Sequence, residues 1–300
     1  MNYSLDHTPP GTAAPQGACG GKRVRRQMIE SKGAWVAATF GGCSMVRLPF
    51  VLAVSMVAMA ALTLSPAQAK SPDAISAAIA DAGRSDADKQ RDANRKPAET
   101  LAFAGVKPGD RVAELLPGGG YFTRLFSKIV GAGGHVYALV PAPSPNAPPD
   151  APDFAARVKA IAADPNYSNV SVVVQPFAQL KAPEPVDLVW TSQNYHDFHN
   201  FPGLDLAVFN QSVFDALKPG GTYLILDHAA EPGSGVRDTA TLHRIDQETV
   251  TKEVLAAGFV FVGSSDLLHQ ADDPHAVKVF DPSVRGKTDQ FILKFRKPKP

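Results

Sequence analysis

Short, almost wholly apolar segments alternate with longer amphipathic ones along most of the chain. The apolar segments are RVAELL (111–116), HVYALV (135–140), NVSVVV (169–174), VDLVWTS (186–192) and TYLILDH (222–228). The segments between them include the helix candidates 121–130, 154–163 and 204–218. Strands buried on both faces read as continuous apolar runs, and the intervening helices form the crossovers of a parallel sheet. The sequence therefore predicts a Rossmann-like α/β fold with helices on both faces of a mostly parallel sheet.

The two ends of this region differ from the alternating part. Residues 72–105 have helical character, with Pro97 at the start of a helix, where its missing N–H costs nothing. We expect a long helix over 238–258, followed by the strands 259–268 and 290–296 with no helix between them. Strands without a crossover helix pair antiparallel. The prediction is seven strands with an antiparallel strand at one edge.

Residues 45–69 have the plan of a secretory signal peptide. Arg47 precedes an uncharged, mostly apolar run over 48–64, and Ala67-Gln68-Ala69 supplies small residues for cleavage. We expect cleavage after Ala69 and a periplasmic or secreted protein with one domain over 70–300. Residues 1–44 are interpreted as a non-native or disordered extension. The alternative is a genuine extension, with 48–64 as an uncleaved anchor.

The charge balance argues against a nucleic-acid partner. The chain carries 30 Lys and Arg residues against 29 Asp and Glu, whereas nucleic-acid binders usually have a strong basic excess. Both cysteines, Cys19 and Cys43, precede the predicted cleavage point, so the mature chain has no thiol chemistry. We expect a small-molecule substrate and no stable membrane association after cleavage.

The stretch AELLPGGGYF (113–122) joins the first predicted strand to a helix. In such sheets, ligands bind beyond the carboxyl ends of the strands, where the strand order reverses. Glycines let a ligand approach the backbone, and the helix that follows offers free N–H groups. A ligand-binding turn is one interpretation, and a tight strand-to-helix corner without a ligand is the other.

The stretches VAELLPGGGY and KPGGTYLILD, with the closing pair of strands, resemble the class I S-adenosylmethionine-dependent methyltransferases. NYHDFH, LHRID and RGKTDQFILKF are similar to segments of a group of predicted exported bacterial methyltransferases. The resemblance covers about residues 75–298. It implies transfer of a methyl group from S-adenosyl-L-methionine to an unidentified small-molecule acceptor.

The same resemblance implies a set of cofactor-binding residues. Glu114 takes the place of the acid that closes the first strand, and Gly118 and Gly120 match the later glycines of the family signature. The implied set is Glu114, Pro117, Gly118, Gly119, Gly120, Tyr121, Val140 and Asn194.

Three positions depart from the family pattern. Leu116 stands where the first signature glycine is expected, and Val140 stands where an acid usually binds the ribose hydroxyls. Gln175-Pro176-Phe177 replaces the acid often found near the adenine amine. Asp150 or Asp153, in the proline-rich loop after Val140, is a candidate substitute for the ribose acid, although solvated loop acids are the simpler interpretation.

The segment TSQNYHDFHN (191–200) follows the fourth strand, and the resemblance places it beside the transferable methyl group. We predict Tyr195, His196 and Asp197 as catalytic residues. His196 or Asp197 would act as base for an acceptor that carries a proton, and Tyr195 would position that acceptor. The alternative is that Tyr195 packs under a helix that His196 caps.

Other polar residues have weaker patterns. His196 and His199, with Asp227 or His228, are metal-ligand types, but no His-x-x-x-His spacing occurs among them, so we expect no metal site. Arg244, on the predicted helix, either binds an anionic acceptor or forms a structural ion pair with Asp246 or Asp227. Two further alternatives stay open: a non-catalytic ligand-binding relic of the fold, and a metal-assisted enzyme.

Overall fold

Seven strands form a single sheet in the order β3-β2-β1-β4-β5-β7-β6. The computed structural model describes residues 73–143, 148 and 153–300. The strands are β1 (Arg111–Leu115), β2 (His135–Pro141), β3 (Val170–Gln175), β4 (Val186–Ser192), β5 (Leu217–His228), β6 (Val260–Ser265) and β7 (Gln290–Arg296). Strands β1 to β5 pair with one another in parallel, and β7 runs antiparallel between β5 and β6. The predicted fold class is confirmed, with the antiparallel strand second from the edge.

Nine α-helices surround the sheet within the described residues. They are α1 (Ala74–Ile79), α2 (Asp86–Gln90), α3 (Asp92–Arg95), α4 (Pro97–Ala104), α5 (Tyr121–Val130), α6 (Ala156–Ala162), α7 (Tyr195–Phe198), α8 (Leu206–Ala216) and α9 (Gln247–Ala256). None of these helices is long and apolar enough to cross a membrane. The predicted signal peptide, 45–69, and the segment before it lie outside the described residues.

The helix predicted over 238–258 is wrong in its first half. Only Gln247–Ala256 is helical, 238–242 forms turns, and Ile245 pairs with Ala229 in an isolated bridge. The side chain of Asp246 accepts a hydrogen bond from the backbone N–H of Glu248 and so caps α9 at its start. Aspartate side chains favour such caps over helix interiors, which explains the later start. Pro97 opens α4, as predicted.

The core has two layers, one on each face of the sheet. Val112 of β1 and Trp190 of β4 point to the layer with α5 and α6, whereas Ala113 and Leu115 point to the layer with α8 and α9. Successive strand residues face opposite sides of a sheet, and here both sides are covered. This double burial accounts for the continuous apolar runs of β1, β2, β4 and β5, whereas β3 lies at the edge of the sheet and is only partly buried.

The strand order reverses at β1, which has β2 on one side and β4 on the other. Leu115 lies opposite Leu139 of β2 and Thr191 of β4 in the sheet register. The chain therefore leaves β1 and β4 at the same edge of the sheet. A crevice at this edge is the expected ligand position for a parallel α/β fold.

Candidate active site

The turn after β1 has an unusual backbone. Leu116, Gly118 and Gly120 all have positive φ, at 50°, 58° and 76°. Gln193, just after β4, has φ 63°. Residues other than glycine are strained by about 1–3 kcal/mol in this region, and such residues cluster at ligand sites. Leu116 thus keeps the left-handed conformation that would suit the glycine expected at its position.

A cavity of about 210 Å³ lies between the ends of β1 and β4. A Cβ added at Gly118 would meet no atom within 4 Å, so the space above the turn is open. Ser192 also lines this cavity, and its buried Oγ has no hydrogen-bond partner within the described residues. The full lining is Arg91, Arg95, Glu114, Leu115, Leu116, Pro117, Gly118, Gly119, Tyr121, Phe122, Ser192, Gln193 and Asn194.

Two arginines on the cavity wall are not among the residues predicted from the sequence. Arg95 donates to Gln193 Oε1 at 2.9 Å, and its guanidinium lies 4.7 Å from the ring centre of Tyr121. Arg91 lies 5.3 Å from the same ring. Burial lowers the pKa of Arg95 to about 10, so it stays protonated at neutral pH. The spacing of four residues between the arginines is typical of one helix face, but it does not indicate that this face meets a cavity.

Glu114, near the end of β1, lines the cavity. Its carboxyl group is buried and accepts a hydrogen bond from Thr123 Oγ1 at 2.5 Å. Burial raises the pKa of Glu114 to about 7, against the opposing effects of the Thr123 hydrogen bond and the charge of Arg95. The cavity wall therefore combines positive arginines with an acid that is partly neutral near pH 7.

Three further members of the implied set line the cavity and also fix its walls. Pro117 starts the turn. The hydroxyl of Tyr121 donates to Asp92 Oδ1 at 2.6 Å, which ties α5 to α3. The side-chain amide of Asn194 donates to the backbone oxygens of Leu116 and Ser192. Asn194 thus joins the ends of β1 and β4.

Gly120 and Val140 do not line the cavity. A Cβ on Gly120 would lie 2.1 Å from Ile161 Cδ1, so this glycine permits close packing of the turn against α6. Val140 is buried within β2. Of the two candidate substitutes for the ribose acid, Asp153 pairs with Lys159 at 2.9 Å, and Asp150 lies outside the described residues.

Tyr195 is also placed away from the cavity. It is fully buried in the core layer with α8 and α9. Its hydroxyl donates to Glu253 Oε2 at 3.0 Å and accepts from Asn210 Nδ2 at 2.8 Å. This environment gives Tyr195 a packing role and leaves it no path to position an acceptor.

His196 and Asp197 lie together at the ends of β4 and β5. His196 Nδ1 is 2.8 Å from Asp227 Oδ1, and its Nε2 is 3.2 Å from Asp197 Oδ1. Burial disfavours the charged imidazole, yet the two carboxylates raise the pKa of His196 to about 10. His243 Nδ1 lies 3.6 Å from Asp197 Oδ1, whereas His199 faces Glu253 at 3.3 Å.

A second cavity, of about 440 Å³, shares Arg91, Arg95 and Gln193 with the first. Its remaining lining is Ala87, Gln90, Asn94, His228, Val279, Phe280, Arg285, Gly286, Thr288 and Gln290. Burial lowers the pKa of His228 to about 4, so its imidazole is neutral at neutral pH. The two volumes together fall within the roughly 300–1,000 Å³ typical of small-molecule sites.

Arg244 does not line either cavity. Its guanidinium binds both carboxylate oxygens of Asp273, at 2.8 and 3.0 Å, and also donates to the backbone oxygens of Ala229 and Val277. Both side chains of the pair are fully buried. The structure therefore supports the ion-pair alternative for Arg244, but the partner is Asp273, and the prediction of Asp246 or Asp227 is wrong.

No protein-family model matches the chain, and no curated protein does. Solved structures similar to it include a SAM-dependent methyltransferase from Aquifex aeolicus, at 19% identity over 69% of this chain and 95% of that chain, with TM-score 0.48. A SAM-dependent methyltransferase from Mesorhizobium loti is 16% identical over 69% of this chain and 99% of that chain, with TM-score 0.47. Aeropyrum pernix fibrillarin, solved with bound S-adenosyl-L-methionine, is 18% identical over 68% of this chain and 76% of that chain, with TM-score 0.45. All three TM-scores are below 0.5, so these likenesses do not bear on activity.

Proposed function

We propose that this protein is an S-adenosylmethionine-dependent methyltransferase that acts on a small-molecule acceptor. The observation that carries the proposal is the open cavity above Gly118 and Gly119 at the carboxyl ends of β1 and β4. It lies where the strand order reverses, the usual ligand position in this fold. The motif resemblance over residues 75–298 supplies the cofactor class.

The residues present fit this cofactor in three respects. The turn leaves its backbone accessible at Gly118. Arg91 and Arg95 supply guanidinium groups suited to the carboxylate of the methionine part. Ser192 Oγ is a buried hydroxyl on the cavity wall that a polar ligand atom would satisfy. When bound, the cofactor supplies a methyl group on a sulfonium centre.

The ribose position fits less well. Among carboxylates of the described residues, only Glu114 lines the first cavity, and it lies near the end of β1. A ribose diol without a carboxylate acceptor loses charge-assisted hydrogen bonds of roughly 1.5–3 kcal/mol. We therefore expect S-adenosylmethionine to bind about tenfold to hundredfold more weakly than it would with an acid after β2.

The acceptor occupies the second cavity in this proposal. Arg91, Arg95 and Arg285 line it, and none of them forms a salt bridge with a carboxylate within the described part of the chain. An acceptor with an anionic group, a carboxylate or a phosphate, suits such a wall. His196 and Asp197 line neither cavity, and the pKa of about 10 leaves His196 protonated at neutral pH, so Asp197 alone of the pair is retained as the base for an acceptor that carries a proton. The enzyme acts after export, with residues 45–69 as its signal peptide.

Binding of S-adenosylhomocysteine by isothermal titration tests this proposal. Gly118→Leu is compared with Gly109→Leu. Both glycines have positive φ, and neither has an atom within 4 Å of an added Cβ, but Gly109 lies at the opposite edge of the sheet. Both variants therefore place a side chain at a positive φ in open space, and they differ in which edge of the sheet they fill.

We expect the wild type and Gly109→Leu to bind alike, and Gly118→Leu to bind at least about tenfold more weakly because its side chain enters the cavity. Absence of binding by the wild type would support the non-catalytic relic instead. Equal affinities of the two variants would place the ligand elsewhere.

A further inference from the structure

Two histidines and one aspartate converge beyond the ends of β4 and β5. His196 and Asp197 belong to α7, and His243 belongs to the segment before α9. One ligand-type atom of each side chain lies within 4.8 Å of the other two. We propose that His196 Nε2, Asp197 Oδ1 and His243 Nδ1 bind one divalent transition-metal ion, with zinc as the best match.

The distances suit a tetrahedral centre. Metal bonds of about 2.0–2.2 Å to imidazole nitrogen and carboxylate oxygen hold tetrahedral ligand atoms roughly 3.3–3.6 Å apart. Asp197 Oδ1 lies 3.2 Å from His196 Nε2 and 3.6 Å from His243 Nδ1. The third pair of atoms, His196 Nε2 and His243 Nδ1, lies within 4.8 Å.

Asp227 orients the first histidine. Its carboxylate contacts His196 Nδ1 at 2.8 Å and is itself held by the backbone N–H groups of His196 and His228, at 2.7 and 2.8 Å. A metal-binding histidine usually donates its other ring N–H to such a carboxylate, which fixes the tautomer and the ring orientation. His196 is therefore arranged to present Nε2 towards Asp197 and His243.

The backbone of His243 is held in a strained conformation beside this centre. Its φ is 57°, which is uncommon for residues other than glycine. The next residue, Arg244, is anchored by its buried pair with Asp273. The ring of His243 packs edge-on against Phe280, with ring centres 5.0 Å apart. These contacts hold the His243 side chain next to Asp197.

Three protein ligands leave a fourth tetrahedral position open, as in catalytic zinc sites. The side chains of Asp197 and His243 are 36% and 32% exposed, whereas that of His196 is 3% exposed. Solvent therefore reaches this cluster from the side of Asp197 and His243. Phe280, which packs on His243, also lines the second cavity, so the ion would lie close to the proposed acceptor.

This inference departs from the sequence-based expectation of no metal site. That expectation considered the pair His196 and His199, but His199 turns towards Glu253. The third ligand comes instead from His243, which lies beyond β5 on a segment for which the sequence predicts a helix. No spacing motif in the sequence connects these residues.

Metal binding is tested on the full chain with Cys19→Ser and Cys43→Ser, because free thiolates bind zinc. The protein is stripped with a chelator, then titrated with Zn²⁺ by calorimetry and with Co²⁺ by visible absorption. We expect one bound equivalent, with the intense absorption of tetrahedral Co²⁺. His269→Ala is the control and should retain that equivalent, since His269 is 58% exposed and pairs with Asp289.

His243→Ala and Asp197→Ala should no longer bind one equivalent of metal ion, and they should lose the absorption of tetrahedral Co²⁺. Zn²⁺ should raise the melting temperature of the parent and of His269→Ala but not that of His243→Ala, while circular dichroism confirms that all are folded. No binding by the parent, or equal binding by His243→Ala, would overturn the inference and leave an ion pair between His196 and two carboxylates. The nucleoside is absent throughout, so this failure would be distinct from failure of the proposed function.

Discussion

Glu114 is a carboxyl group whose burial favours its neutral form. Its pKa rises from 4.5 to about 7 in the folded protein, so the folded state binds more protons than the unfolded state between these values. Its contribution to the free energy of unfolding therefore falls as pH rises through this window, by about 3 kcal/mol in total. Above about pH 7 the cost of the buried charge is fully present.

Glu114→Gln should remove this dependence, because the amide stays neutral and still accepts the hydrogen bond from Thr123. Urea unfolding of both proteins from about pH 5 to pH 8 measures it. We expect the stability of the wild type relative to the variant to fall by about 2–3 kcal/mol over that range. Parallel pH profiles would show that Glu114 is ionised in the folded protein throughout.

Arg95 offers a second test at this scale. Arg95→Met keeps an apolar stem against Tyr121 but removes the guanidinium from the cavity wall. We expect affinity for S-adenosylhomocysteine to fall about tenfold to hundredfold, from loss of charge-assisted hydrogen bonds. Arg111→Met is the matched control, since Arg111 pairs with Glu184 at the surface near the start of β1. A similar loss in both variants would contradict a direct role for Arg95.

At the scale of elements, the turn after β1 is pressed against α6. Gly120→Ala should lower the free energy of unfolding by about 1–3 kcal/mol, from a positive φ and the close approach of Ile161 Cδ1. Ile161→Val removes that carbon. In a double-mutant cycle of unfolding free energies, the double variant should lose less than the sum of the single ones. Strict additivity would show that the contact is not what restricts this position.

The elements that sequence patterns predict well are those whose burial is uniform. β1 and β4 are covered on both faces, and their apolar runs indicate this directly. The segment 238–246 is predicted as helix, although Asp246, a residue type that favours helix caps, marks the start of α9. Arg95 falls in a region of predicted helical character, but its contact with Gln193 crosses 98 positions of sequence and leaves no local pattern. The glycine turn was therefore predictable, whereas the position of Arg91 and Arg95 on the cavity wall was not.

At the scale of the whole molecule, the buried pair of Arg244 and Asp273 joins two segments that lack helix and strand. Arg244→Met should lower the free energy of unfolding by about 3–5 kcal/mol, because it leaves the Asp273 carboxylate buried without its partner. Lys252→Met, which breaks an exposed pair with Glu248 on α9, should be nearly neutral. Chemical denaturation compares them, and equal losses would contradict a special role for the buried pair.

The position of β7 has a consequence for how the molecule is made. β6 makes its sheet contacts only with β7 among the described residues, and β7 is the last strand of that region along the chain. A polypeptide growing from its N terminus therefore holds β6 without a sheet neighbour until residues 290–296 have emerged. Thr288 and Gln290 are synthesised together with β7. The lining of the second cavity is therefore complete only when the last strand has joined the sheet.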